Sequence, residues 1–420
     1  MDLTTLESAP APRHQGVETE DSLLLPLDEL LEAAAHGATI GEEQSAVLVG
    51  VDGSRLSDIC SVAAQLRNQG KGTTVTFSPK VFIPLTRLCR DFCGYCTFRQ
   101  DPSAAAGNLF MTPEEVLDVA RAGQSLGCTE ALFTLGERPE QRYPEAKDWL
   151  EHRGFSTTLE YVAHVCKLVA EETQMLPHAN PGTMSRREMA LLQPYNPSMG
   201  LMLESTSQNL YERGGPHEFA PSKRPRVRLR TIEIAGELRV PFTTGILIGI
   251  GESRQERIDA LLAIRRLHAT FGHVQEVIIQ NFRAKPETPM ASSPHAEAEE
   301  LLWTVAVARL LLGPDMNVQV PPNLSADDYE IYLDAGINDW GGVSPLTIDF
   351  VNPEAPWPGL NQLRDRTAAK GFELKPRLPI YPEYINAPDT WVPEPIRATV
   401  AALSDSDGYV QGGIQRYAGN

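Results

Sequence analysis

Three of the chain's six cysteines, Cys89, Cys93 and Cys96, fall within eight residues in the stretch VFIPLTRLCRDFCGYCTFRQ, residues 81–100. Thiolates are soft ligands suited to zinc or to iron–sulfur clusters. A structural zinc site closes on four protein ligands, and an electron-transfer ferredoxin cluster also takes four cysteines. The spacing C-x3-C-x2-C supplies three. Cys60, Cys128 and Cys166 fall far along the chain on expected helices, with no second CxxC pair, and each reads as a small buried hydrophobe. Three thiolates on one loop leave one iron of a cubane cluster without a protein ligand. An open metal position is what a catalytic centre requires, because a substrate or cosubstrate can occupy it. Zinc or another cluster type is the competing reading.

A loop of this kind has to be held by rigid elements. From residue 74 onward, short apolar runs alternate with segments of helical period. Strands are expected over 75–86, 131–136, 175–180, 199–205, 242–250, 276–282, 317–323 and 338–344. Helices are expected over 112–127, 157–173, 185–193, 228–238, 256–270, 296–313, 325–336 and within 359–371. Thr112, Ser185 and Ser325 read as N-caps, and Gly127, Gly313 and Gly336 as helix ends. Eight strand–helix pairs in series imply a parallel sheet, and eight is the number that closes a barrel. A doubly wound open sheet is the rival, but cysteines rather than a glycine-rich turn follow the first strand.

The expected fold is therefore an α/β protein, a (β/α)8 TIM-type barrel with an N-terminal helical extension. Its parts are a disordered leader at 1–22, the extension at 23–73, the barrel at 74–385 and a tail at 386–420. The Pro-rich run after residue 372 reads as an extended segment lying along the barrel.

Active sites on barrels of this type sit at the C-terminal ends of the strands. The three cysteines follow the first strand. Gly136 and Glu137 follow the second, and His178 and Asn180 end the third. Glu204 ends the fourth, Gly249 and Glu252 the fifth, Asn281 and Arg283 the sixth, Asn323 the seventh and Ser344 the eighth. Acids and a histidine on otherwise apolar strands are costly unless a site employs them.

The bulk composition excludes several classes. The chain has 420 residues, 42% of them hydrophobic, which suits a globular protein with a sizeable core. Its 37 Lys and Arg against 55 Asp and Glu give a formal charge of −18. No basic stripe with interleaved aromatics is present, so no nucleic-acid partner is expected. The one basic run, SKRPRVRLR at 222–230, reads as a solvated or anion-facing helix end. No apolar run reaches membrane-spanning length. The polar, acidic N-terminus lacks the basic and apolar regions of a secretory signal, so a cytoplasmic location is expected. Thiols stay reduced there, and clustered cysteines point to metal or redox chemistry.

The cysteine spacing, with Tyr95 just before the last cysteine, resembles the signature of the radical S-adenosylmethionine (radical SAM) enzymes. That resemblance implies a 4Fe-4S cluster on Cys89, Cys93 and Cys96, whose open iron takes the methionine end of S-adenosylmethionine. It also implies roles for other residues. Gly136 and Glu137 of LGE would meet the methionine ammonium, and Glu204 of GLMLES the ribose hydroxyls. Lys223 would meet the methionine carboxylate, and Gly249 of GILIGIGES would let the adenine approach the backbone.

Longer stretches resemble one family within it, the cyclising component of FO synthase (7,8-didemethyl-8-hydroxy-5-deazariboflavin synthase). They are KVFIPLTRLCRDFCGYCTF, TLGERPE, LPHANPGTMS, GLMLESTS, PFTTGILIGIGES, QNFRAKPETPM and DWGGVSP, and they cover about residues 75–385. In some organisms this component is fused to a second radical SAM half, and this chain looks like the stand-alone form.

The family implies a lyase and cyclase of coenzyme F-420 biosynthesis. A low-potential donor, of flavodoxin or ferredoxin type, reduces the cluster. A 5′-deoxyadenosyl radical then abstracts hydrogen from the 4-hydroxybenzyl adduct of a ribitylaminouracil, which a tyrosine-using radical SAM partner enzyme makes. Ring closure and loss of ammonia give the deazaflavin. Asn180, Asn281, Arg283 and Asn323 are expected to bind this substrate. His178 is expected to move protons, since imidazole titrates near neutrality, although a structural histidine fits equally. Arg283 and Lys285 could equally cap the following helix. The rivals are a sibling enzyme on the same barrel, such as the tyrosine-using partner or a menaquinone-pathway cyclase, and a non-catalytic iron–sulfur or zinc protein.

Overall fold

A computed structural model describes residues 24–105, 107–325 and 328–417. The leader expected at 1–22 lies outside the described residues. Eight parallel strands form the barrel: β1 Thr74–Thr86, β2 Glu130–Leu135, β3 Leu176–Asn180, β4 Ser198–Gly200, β5 Phe242–Ile248, β6 Val274–Asn281, β7 Val318–Gln319 and β8 Asp339–Val343. They pair in chain order, and β1 closes the ring by pairing with both β8 and β2. Closure excludes the open sheet.

Three helices precede the barrel: α1 Leu27–Ala35, α2 Ala46–Val49 and α3 Leu56–Lys71. Around the barrel run α4 Pro113–Ser125, α5 Pro144–Glu151, α6 Thr158–Glu172, α7 Arg186–Leu192, α8 Pro225–Glu237, α9 Arg254–Phe271, α10 Ala298–Leu312 and α11 Leu360–Ala369. Thr112 and Ser185 each close a capping box with the glutamate three residues on, and Ser253 does the same for α9. The N-terminal helices lie against the outer ring: α3 packs on α10, and Arg254 of α9 donates to the carbonyls of Val49 and Val51.

Four expectations change. Strand β4 stops at Gly200, and the chain then turns so that Glu204 adopts a left-handed φ of 68° while bridging to Ile246. Strand β7 is two residues long, because Pro321 and Pro322 have no N–H to give the ladder. The helix expected at 325–336 is a 3-10 turn at Tyr329–Leu333, and Ser325 caps no α-helix. Tyr329 and Tyr332 are both buried, and a three-residue repeat matches the 3-10 period.

The fourth change is the Pro-rich segment. It supplies β9 Glu373–Pro376, which adds in parallel to the N-terminal half of β1. It then crosses beneath the barrel, where Pro379 O accepts from Ser198 and Gln275. Beyond it, α12 Pro382–Ile385, α13 Pro388–Trp391 and α14 Glu394–Leu403 build a second apolar cluster around Leu378, Ile380, Tyr384 and Val400.

Candidate active site

A cavity of 360 Å³ runs down the barrel from the C-terminal strand ends. Cys89, Cys93 and Cys96 line it, with Tyr95, Gly136, Glu137, His178, Asn180, Glu204, Lys223, Asn281 and Arg283. The fold thus brings twelve residues expected at the site, the three cysteines among them, into one space. Gly249 and Asn323 are not among the lining residues.

The cysteine loop is seated on the end of β2. The Glu137 N–H donates to Cys89 Sγ at 3.1 Å, and the Arg90 N–H to Glu137 O at 2.7 Å. Gly136 lies against the loop so closely that a Cβ there would stand 1.9 Å from Leu88 O. Phe92 and Gly94 are hydrogen-bonded to Phe219 and Pro216, which fixes the far side. Burial pushes the Cys89 thiol up to about 12 and raises that of Cys93. Thiolates at these positions therefore need a cationic partner held between them.

Among the described residues, no three His, Cys, Asp or Glu side chains are close enough to share one metal ion. A cubane, whose irons each take one thiolate, asks for sulfurs spread more widely on one loop. Three soft donors on a pinned loop at a cavity mouth fit such a cluster.

The other mouth residues are tied to one another. The Glu137 carboxylate is buried and accepts from Thr183 N at 3.0 Å and Thr183 Oγ1 at 2.6 Å. Burial pushes its carboxyl above the usual carboxylate range despite those bonds. Glu204 is ion-paired with Lys223, and Arg228 stands 3.8 Å from the same oxygen. A cofactor using Glu204 for hydroxyls and Lys223 for a carboxylate has to share or replace that contact. The Tyr95 hydroxyl meets His217 Nε2 at 2.9 Å, and burial holds His217 down at about 2.

Several sequence expectations are corrected. Burial holds His178 at about 4, so it does not titrate near neutrality. Gly249 has φ 88°, and its absent Cβ would lie 2.7 Å from Ala296 Cβ, so its glycine serves the turn and a protein neighbour. Glu252 binds the N–H groups of Gly249 and Ile250 and the Arg257 guanidinium, a local structural role. Asn323 holds the loop above it, donating to Asp349 at 3.0 Å and Ala355 O at 3.1 Å. Arg283 donates to Leu324 O at 2.8 Å while lining the cavity.

Sequence reasoning missed Asp91 and Arg228 at the mouth and Lys80, Glu130, Glu276 and Arg377 at the floor, all of which line the cavity. For the strand residues a signal was present. Lys80, Glu130 and Glu276 place charged side chains within strands that must be buried in the barrel.

Known proteins agree with this architecture. The Radical SAM superfamily matches residues 83–264. The chain is 53% identical over 337 residues to the 7,8-didemethyl-8-hydroxy-5-deazariboflavin synthase of Methanopyrus kandleri, covering 80% of this chain and 100% of that protein. It is 51% identical to the FO synthase of Nocardia farcinica, covering 89% of this chain and 44% of that protein. The chain thus spans about half the length of the FO synthases it matches. The crystal structure of methylornithine synthase aligns with a TM-score of 0.63 at 17% identity, over 82% of this chain and 97% of that one. The FeFe-hydrogenase maturase HydG from Carboxydothermus hydrogenoformans aligns at 0.66 and 18%, over 89% and 88%. These two likenesses concern the fold. Among the described residues no helix is long and apolar enough to cross a membrane. The chain belongs to the radical SAM superfamily and, within it, to the family of the 7,8-didemethyl-8-hydroxy-5-deazariboflavin synthases.

Proposed function

We propose that this chain carries out the cyclising step of deazaflavin formation, converting the 4-hydroxybenzyl adduct of a ribitylaminouracil into 7,8-didemethyl-8-hydroxy-5-deazariboflavin with loss of ammonia. The observation that carries the reading is that the three-cysteine loop opens onto the same cavity as the polar interior of the barrel. The superfamily implies a 4Fe-4S cluster and S-adenosylmethionine, which together supply a 5′-deoxyadenosyl radical for hydrogen abstraction when bound. Cys89, Cys93 and Cys96 would hold the cluster.

The chain's own residues then bind, orient and shield. Glu204 and Lys223, ion-paired at the cavity wall, would take the ribose and carboxylate ends of S-adenosylmethionine. The backbone of Gly136 and Glu137 lies beside the cysteines, where the methionine group would sit. Tyr95, held by His217, walls the mouth. Asn180, Asn281 and Arg283 line the space beyond, where a polyhydroxylated substrate can be hydrogen-bonded. Enclosure keeps water and stray hydrogen donors away from a reactive species. A small low-potential electron donor, a separate tyrosine-using enzyme as the source of the adduct and a cytoplasmic setting complete the reading.

The test is anaerobic. Protein reconstituted with iron and sulfide, then given dithionite, S-adenosylmethionine and the preformed adduct, is expected to yield 5′-deoxyadenosine and a fluorescent deazaflavin together. Turnover of tyrosine instead of the adduct would assign the sibling reaction. Neither product from cluster-loaded protein would overturn the catalytic reading.

A further inference from the structure

Barrels of this type are ordinarily filled by layers of branched apolar side chains. Here Lys80, Glu130, His178, Glu276 and Arg377 line the deep end of the cavity. Most of their capacity is committed within the protein. Arg377 bonds Asp339 at 2.7 Å and Glu276 at 3.0 Å, and the other Glu276 oxygen accepts from Thr243 at 2.9 Å. Glu130 accepts from Ser78 with one oxygen and from Lys80, at 2.7 Å, with the other.

Two groups keep spare capacity. Among the described residues the Lys80 ammonium makes that one hydrogen bond, leaving two N–H groups. His178 makes one, between Nδ1 and Ser198 Oγ at 2.7 Å, leaving Nε2. The neighbour sets its direction. Ser198 Oγ lies 2.6 Å from Pro379 O, which can only accept, so the serine proton goes there. His178 Nδ1–H therefore donates to Ser198, and Nε2 is the bare acceptor of a neutral ring. Burial, opposed by Glu130 and aided by Lys80 and Arg377, keeps the ring neutral. Gly200 on β4 leaves room in front of it, since a Cβ there would stand 3.1 Å from Nε2.

We propose that Lys80 and His178 form a donor–acceptor pair at the deep end of the substrate site that reads the imide edge of a pyrimidine ring. His178 Nε2 accepts the ring N–H, and Lys80 donates to an adjacent ring carbonyl. The pair presents one group that cannot donate and one that cannot accept to the same cavity: Lys80 of β1 is in register with Glu130 of β2, and His178 of β3 with Leu132, two residues further along β2. A hydroxyl, which donates and accepts, would be served by either group alone. A rigid N–H beside C=O is served only by both. The imide edge is also remote from the bonds that change, so it can point to the floor while the reacting end faces the cysteines. The inference rests on the reading under Proposed function and deepens it.

The test needs no mutation at its centre. The full chain is titrated anaerobically with the stable deazaflavin product and with its N3-methyl analogue, following ligand fluorescence. The analogue is expected to bind about tenfold or more weakly, because methylation leaves a buried acceptor unpaired. His178→Leu should weaken the parent ligand similarly and abolish discrimination, with His178→Gln restoring part of both. In turnover, Lys80→Met should raise KM more than it lowers kcat. Equal affinity for both ligands on the unaltered protein would overturn the pair. No binding of either would overturn the deazaflavin reading with it.

Discussion

The mouth and the floor of the barrel handle charge in opposite ways. At the mouth, two thiols, Cys89 and Cys93, and an acid, Glu137, sit where burial disfavours their ionised forms, so their charges require a guest. At the floor, Arg377 is held well protonated by Asp339 and Glu276 against the effect of burial, and Lys80 holds Glu130 below the usual carboxylate range, although burial raises Glu276. One end is built to be completed by a cofactor. The other is largely self-satisfied, with spare capacity at Lys80 Nζ and His178 Nε2 among the described residues. The contrast separates residues that carry chemistry from residues that shape and close the chamber in which it happens.

The largest expected effects lie at the mouth. Cys89→Ala, Cys93→Ala or Cys96→Ala should each abolish formation of 5′-deoxyadenosine and sharply lower iron and sulfide content on reconstitution. Retained cluster-dependent turnover in any one would break the three-ligand account. Gly136→Ala should lower S-adenosylmethionine cleavage by about tenfold or more, because the new methyl would displace the cysteine loop from Leu88.

Effects at the floor should be on stability first. Arg377→Met leaves two buried carboxylates unpaired and is expected to cost about 3–5 kcal/mol, measured by urea unfolding. A change within about 0.5 kcal/mol would show that the floor network is slack.

Acid should act through the buried histidines. His178 and His273 are held at about 4 and His217 at about 2, below the usual 6.5. The unfolded chain therefore binds more protons below pH 6.5, and stability present above that value is lost as pH falls toward the folded values. Between about pH 7.5 and pH 5.5 each contributes on the order of 1 kcal/mol, and His178→Leu should remove one such share from the slope. The smallest effect is expected from Cys128→Ala, remote from the cluster loop, which should leave iron content and turnover unchanged at a cost of about 1 kcal/mol.

The same contrast explains what could be read in the sequence. The candidate residues of the mouth could be singled out because they are local: Cys89, Cys93 and Cys96 share one loop, and Gly136 and Glu137 adjoin at a strand end. The strand–helix alternation was legible because its periods are set by neighbours in the chain. The floor was not, because Arg377 reaches Glu276 across 101 residues and Lys80 reaches Glu130 across 50. Arg377 lay in a Pro-rich run whose only local reading was an extended tail. His178 was visible as a residue but not as a neutral acceptor, since its protonation follows from Ser198 and Pro379, one of them 181 residues beyond the other. Gly249 shows the converse limit: a glycine required by a turn looks the same in sequence as one required by a ligand.

The central claim is that the three-cysteine loop carries a cluster whose fourth iron faces the cavity and is open to S-adenosylmethionine. It is tested most directly by recording the electron paramagnetic resonance spectrum of the reconstituted, dithionite-reduced protein before and after adding S-adenosylmethionine. The account predicts a reduced-cluster signal whose g-values shift on addition, and loss of that shift in Lys223→Ala and Glu204→Gln while the signal itself persists. A cluster signal that S-adenosylmethionine leaves unchanged in the unaltered protein would contradict it.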